Sequence, residues 1–176
     1  MQIISGIYKH RSIKEPRNKY THPMGSREKL ALFNMISSYL PSSCVLDAFA
    51  GTGSLGLECL SRGAKKVVFL EKSPQNAKII AENISVLGET TKEQTEIIVK
   101  SAETVVFPYK FDVIIADPPY DNFNIDIIAH LTPYLTDGGI FVLSHPHIKT
   151  PPILPRLSLI STHSYAAANI SIYRSL

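Results

Sequence analysis

Cysteine is scarce in this chain of 176 residues, and its two cysteines, Cys44 and Cys59, lack metal-ligand spacing. Their flanks, Ser-Ser-Cys-Val-Leu and Leu-Glu-Cys-Leu-Ser, suit the start of a strand and the apolar side of a helix, so both are expected to be reduced packing residues. Nor is a covalent staple needed, because a chain of this length can bury about two-thirds of its unfolded surface. No continuous apolar run is long enough to span a bilayer, and no leader pattern follows Met1. The expectation is therefore a soluble, cytoplasmic protein without a membrane partner, a single domain over 1–176, and a monomer. Internal repeats and low-complexity segments are missing as well. His145 and His147 flank Pro146, but no cysteine or acidic partner clusters with them in the sequence, so no metal site is expected.

What is present has globular proportions, 44% hydrophobic and 19% charged. The net charge of +3 is unevenly spread: residues 1–29 carry +5 and the remaining 147 carry −2. A segregated basic arm, at about 1–25 and continuing to Arg27, is the electrostatic footprint of a protein that grips a phosphate backbone; the alternative is a solvated basic terminus. Lys9, Arg11, Arg17 and Arg27 are the candidate substrate contacts.

Periodicity gives the organisation. Ser26 is a candidate N-cap for a helix carrying Leu30, Phe33, Ile36 and Leu40, ended by Pro41. Strand Cys44 to Phe49, helix Ser54 to Arg62, strand Lys66 to Leu70 and helix Pro74 to Leu87 follow, the last framed by Ser73 and Gly88. After a polar linker come a strand at Glu96 to Lys100, a short helical stretch near Ala102, a strand at Asp112 to Ala116 and a helix near Ile125 to Leu135. A turn, Asp137-Gly138-Gly139, then leads to a strand at Ile140 to Leu143. Leu157 to His163 and Asn169 to Tyr173 read as an antiparallel pair. The first strands are almost continuously apolar, which suits parallel strands covered on both faces. The fold class is α/β, a Rossmann-like, mostly parallel sheet with an antiparallel C-terminal hairpin. In such sheets ligands bind beyond the carboxyl ends of the strands.

Two loops at those ends carry chemistry. Gly51, Gly53 and Gly56 satisfy G-x-G-x-x-G between a strand and a helix, a pattern that dinucleotide enzymes also use. Asp47, four residues before the first glycine, would repel a pyrophosphate but can accept hydrogen bonds from an ammonium group. Glu71 stands where an acid can accept both hydroxyls of a ribose. This combination points to S-adenosyl-L-methionine. The second loop, Asp117-Pro118-Pro119-Tyr120, has two prolines that fix φ and remove two donors, leaving carbonyls and the Asp117 carboxylate as acceptors. If Asp117 and the Pro118 carbonyl each accept one N–H of a base amino group, its lone pair is freed for attack on a sulfonium methyl. Tyr120 offers a face for the extruded base, a stack typically worth about 1–3 kcal/mol. Asp117 needs no raised pKa for this, since the nitrogen becomes acidic only as the methyl arrives. Phe49 and Phe123 are candidate pocket walls, with a place in the core as the equal alternative.

With these residues in place, the chain resembles the RsmD family of 16S ribosomal RNA guanine-N2 methyltransferases from end to end. The similarity covers the start Gln-Ile-Ile-Ser-Gly-Ile-Tyr-Lys-His-Arg, Ala31-Leu-Phe-Asn34, the loop Asp47 to Gly56, Asp117 to Tyr120, and Ile170 to Arg174. The resemblance implies a class I S-adenosylmethionine-dependent methyltransferase fold. It further implies S-adenosyl-L-methionine as cofactor, a guanine N2 acceptor in small-subunit ribosomal RNA, an assembling ribosomal particle as partner, and adenine contacts at Ser101 and Ala102. The chain departs from the family pattern at Met24, Gly25, Ser26, Ser144 and Ala166. Other readings are a DNA adenine-N6 methyltransferase, although no separate target-recognition region is present, and a catalytically silent RNA-binding module. A nucleotide-binding dehydrogenase would leave Asp-Pro-Pro-Tyr without a purpose.

Overall fold

The computed structural model describes residues 1–15, 24–148, 150–166 and 168–176; Arg17, Lys19 and Pro23 lie outside the described residues. Seven strands, β1 (Cys44–Asp47), β2 (Lys66–Leu70), β3 (Thr95–Ile98), β4 (Phe111–Ala116), β5 (Leu135–His145), β6 (Leu157–Ser164) and β7 (Asn169–Ser175), form one sheet in the order β3-β2-β1-β4-β5-β7-β6. β1 to β5 run parallel, while β7 lies antiparallel between β5 and β6. The sheet is thus a Rossmann-like class I methyltransferase fold. The chain reverses its direction of travel across the sheet between β1 and β4, and this opens a crevice at their carboxyl ends.

Strand alternation sorts the core into two layers. Val45, Val67 and Phe69 face helices α1 (Ser26–Met35), α2 (Ser54–Ser61) and α3 (Pro74–Leu87), whereas Leu46, Val68 and Leu70 face α5 (Ile125–Leu131). Ser73 caps α3 by accepting from the Asn76 amide at 3.3 Å, with Pro74 in the first turn. Gly56 lets α2 lie close on β2: a Cβ there would stand 2.3 Å from the Phe69 ring.

Several elements differ from the sequence expectation. Gly25, not Ser26, holds the N-cap position of α1, and Leu30 is exposed while Leu32 takes its place in the core. β1 ends at Asp47, where the Ala48 amide still bonds Ile115 before the chain turns into the glycine loop. β3 is likewise shifted, to Thr95–Ile98. The polar linker contains a short helix, α4 (Glu89–Glu93), seated by the buried Thr91. Around Ala102 there is a turn rather than a helix, bonded from Thr104 and Val105 to the Ser101 carbonyl. The helix from Ile125 stops at Leu131 because Pro133 supplies no amide and tightens the next turn into a 3₁₀ segment, Thr132–Tyr134. β5 begins early, at Leu135, and carries Asp137-Gly138-Gly139 as a bulge marked by a register shift against β4.

The described part of the basic N-terminal segment is folded. The Ile3 amide donates to the Arg11 carbonyl and the His10 amide to the Ile3 carbonyl, closing a hairpin whose Ile3 and Ile13 are buried. Glu58 on α2 accepts the amides of Ile4 and Ser5 at 2.8 and 3.0 Å. Asn83 on α3 accepts from the Lys14 amide and donates to the carbonyls of Lys14 and Thr52, tying the hairpin to the glycine loop.

Candidate active site

An acid stands at the carboxyl end of each of β1, β2 and β4: Asp47 is the last residue of β1, and Glu71 and Asp117 directly follow β2 and β4. Asp47 is 1% exposed, and its Oδ2 accepts the Gly56 amide at 2.8 Å, an N-terminal amide of α2. Glu71 is 8% exposed and spans the loop, accepting the Gly51 amide at one oxygen and the Ser73 amide at the other, both at 2.8 Å. Gly51 and Gly53 adopt φ of +55° and +80°, left-handed values that let the loop fold back over these carboxylates. Asp117 follows β4 and is half-buried.

The carboxylates feel one another. Burial pushes the Asp47 carboxyl up to about 7; the Gly56 amide opposes this, and the charges of Asp117 and Glu71 reinforce it. Burial also pushes Asp117 up to about 6, against the stabilising hydroxyls of Ser144 and Tyr120. The sequence had required no raised value at Asp117. The difference arises because the strand end and its loop screen the carboxyl from water. None of the three acids forms a salt bridge among the described residues. The buried Lys29 ammonium instead bonds the Ser54 hydroxyl at 3.0 Å. Such a cluster of acids favours a cationic occupant with hydrogen-bond donors.

The remaining candidates fall around this centre. Pro118 is buried and Tyr120 half-buried, its hydroxyl 2.5 Å from the Ser144 Oγ. Burial and the nearby Asp117 charge push the Tyr120 phenol up to about 12. Phe49 and Phe123 are partly buried against the α5-side core, and Phe123 also packs on the His145 ring, with centroids 6.3 Å apart. Ser101 accepts the Glu103 amide at 3.2 Å in the turn after β3, beside the buried Ala102. Arg27 is exposed in the first turn of α1. Lys9 and Arg11 are exposed on the hairpin, but its tip bonds the Ser61 end of α2 through the Ile7 and Tyr8 amides, far from the Ser54 end that borders the glycine loop. Arg17 lies outside the described residues. Both ring nitrogens of His145 are engaged, by Ser171 at 2.8 Å and the Pro146 carbonyl at 2.9 Å.

Sequence reasoning passed over Glu58 and Asn83, counted Lys29 only in the basic N-terminal charge although it is buried at 2% exposure, and noted Ser144 only as a departure. One signal was available: Glu58 and Arg62 are spaced i,i+4 and pair at 2.8 Å.

The raised carboxylates have a sign that can be tested. Both groups hold protons in the folded state at pH values where the unfolded chain has released them, so their contribution is full below pH 4 and is lost as pH rises through about 6 and 7. Burial of His145 lowers its pKa and acts in the opposite sense near pH 6. The carboxylate contribution is therefore read as a difference. Relative to Asp47→Asn, the wild type without ligand should lose on the order of 3 kcal/mol of unfolding free energy between pH 4.5 and 8. Urea denaturation at stepped pH measures it, and parallel curves for the two proteins would contradict it.

Comparison with known proteins adds an independent line. The family model described as conserved hypothetical protein 95 matches residues 1–174. The ribosomal RNA small subunit methyltransferase D of Haemophilus influenzae is 39% identical over 129 residues, which span 71% of this chain and 66% of that relative. YlbH of Bacillus subtilis, provisionally described as an rRNA methyltransferase, is 29% identical over 183 residues, covering 99% of this chain and 98% of its own. A solved Haemophilus influenzae structure, provisionally described as a methylase, is 30% identical with a TM-score of 0.80, covering 99% of this chain and 98% of that one.

Proposed function

The chain belongs to the family of conserved hypothetical protein 95, the RsmD family, and from that premise we propose that it transfers a methyl group from S-adenosyl-L-methionine to the exocyclic N2 of a guanine in small-subunit ribosomal RNA. The observation that carries the proposal is the convergence of Asp47, Glu71 and Asp117 at the carboxyl ends of β1, β2 and β4, with Tyr120 beside them. The donor set fits the cofactor. Asp47 would face its ammonium, Glu71 its ribose hydroxyls, and the turn at Ser101 and Ala102 its adenine, with Phe49 as an adjoining wall. When bound, the cofactor supplies an electrophilic methyl group and leaves as a neutral thioether.

The chain's own residues would do the rest. Asp117 and the Pro118 carbonyl accept the two N–H bonds of the guanine amino group and orient its lone pair. As the N–C bond forms, the amino nitrogen gives its proton to Asp117. With its pKa pushed up to about 6 by burial, this carboxylate is still mostly ionised at neutral pH and is a better proton acceptor than an exposed aspartate. Tyr120 stacks on the base, and Arg27 contacts nearby phosphate. Lys9 and Arg11, at the far end of α2, would reach more distant phosphates of a large folded RNA. The choice of guanine N2 rests on the family resemblance, and the RNA target is supported by the names of the relatives.

Transfer of labelled methyl to small-subunit RNA or its protein-bound particle, with the product mapped by nuclease digestion and mass, tests the reading. N2-methylguanosine is the expected product. N6-methyladenine, or labelled DNA, would replace the substrate and keep the chemistry. Cofactor binding with no transfer to any RNA would favour the silent binding module.

A further inference from the structure

We infer that Ser144 is a positioning residue of this site: from the end of β5 its hydroxyl holds the Tyr120 hydroxyl in a hydrogen bond beside Asp117 and so fixes the loop that presents the acceptor base. The inference rests on the proposed methyl-transfer reading and adds to it a residue that neither chemical motif contains.

Register explains why Ser144 is in place. Ala116 on β4 pairs with Leu143 on β5, so the next residues along the two parallel strands, Asp117 and Ser144, are neighbours where the sheet ends. Ser144 is held on its other side by its pairing with Ile170 of β7 and is only 1% exposed. The loop it meets needs such a tie. Pro118 and Pro119 have no amides with which to extend the β4 ladder, and the following turn is held by long bonds from Asn122 to Pro119 and from Phe123 to Tyr120, both 3.3 Å. The 2.5 Å contact from Tyr120 to Ser144 links that turn to the rigid sheet.

Proton counting gives the tie a direction. Ser144 and Tyr120 each have one hydroxyl proton. One is used in the bond between them, which leaves the other for the Asp117 carboxylate. Whichever hydroxyl donates there favours the charged form of Asp117. One carboxylate oxygen is then engaged by the protein, and the other is left to accept the amino group of the base. The further groups facing this set are acidic: Asp47 on β1 backed by Glu71, and Glu28 on α1, whose charge acts on Tyr120. Neighbouring His145 turns its ring nitrogens to Ser171 and to the Pro146 carbonyl. Among the described residues, the hydroxyls of Ser144 and Tyr120 are therefore the groups that favour the charged form of Asp117 against its burial.

The test is a titration that does not depend on turnover. In protein labelled with ¹³C at the aspartate carboxyls, with Asp117 assigned through Asp117→Asn, Ser144→Ala should move the Asp117 midpoint up by about one pH unit. Ser144→Thr, which restores a hydroxyl, should return it towards wild type. In methyl transfer, Ser144→Ala should lower kcat about threefold at pH 6.5 and hardly at all at pH 8.5, with KM for RNA little changed. Adding Tyr120→Phe should cost less than its single effect, because both substitutions break the same bond. An unmoved Asp117 midpoint, or a loss of equal size at every pH, overturns the inference. A shifted midpoint in a protein whose wild type methylates no RNA would sustain the positioning role and bring down the reaction proposed above.

Discussion

Asp117→Ala is expected to lower kcat for RNA methylation by about a thousandfold or more while changing affinity for S-adenosyl-L-methionine by less than about tenfold. The asymmetry follows from position. Asp117 belongs to the loop that would present the base, whereas the hydrogen bonds to the glycine loop are made by Asp47 and Glu71. Glu71→Ala should show the reverse bias, weakening cofactor binding more than it slows bound substrate, because it also releases the amides of Gly51 and Ser73. Asp117→Asn separates two roles within the same side chain. Its amide oxygen can still accept one N–H of the base, but it cannot take the proton, so it should stay close to the alanine variant if proton acceptance dominates. Calorimetric cofactor binding together with single-turnover methyl transfer distinguishes these cases. An Asp117→Ala protein that retains a tenth of wild-type turnover would remove Asp117 from the reaction.

Legibility in the sequence followed the range of the interactions. The parallel strands were visible because burial on both faces leaves an unbroken apolar signature, and α3 because Ser73, Pro74 and Gly88 mark its ends locally. The two loops could be read as well, since glycine and proline act on the backbone where they stand. What was hidden depends on register and on distant partners. The early start of β5 follows from a bulge against β4, and the register that sets Ser144 beside Asp117 joins strands whose pairing no local pattern encodes. Likewise, the raised value at Asp117 is a property of its enclosure, which the tetrapeptide alone could not convey. Charge counting found the basic N-terminal arm but not its fold. The bonds that hold its described part come from Glu58 and Asn83, more than fifty residues away.

The same long-range bonds make Glu58 the residue whose loss should damage the fold most. Its carboxylate is fully buried and serves three donors at once: the Ile4 amide, the Ser5 amide and the Arg62 Nε. Arg62 stands over the Phe33 ring at 4.9 Å, and its Nη2 is buried without a hydrogen-bond partner among the described residues. Glu58→Ala would leave a guanidinium and two backbone amides uncompensated in a region with little water. Removal of one member of a buried ion pair typically costs about 3–5 kcal/mol. Urea denaturation should show a loss of that size, far beyond the few tenths of a kcal/mol expected from breaking the exposed pair of Lys92 and Glu89. Hydrogen exchange should locate the damage: the amides of Ile4, Ser5, Ile7 and Tyr8 lose protection first, while those of β1 and β4 open only with the whole fold. The hairpin carries Lys9 and Arg11, so its release should also weaken RNA affinity and flatten its salt dependence, with cofactor binding retained wherever the protein stays folded. Unchanged protection at Ile4 and Ser5 in the variant would mean that the hairpin is held by the burial of Ile3 and Ile13 rather than by the Glu58 carboxylate.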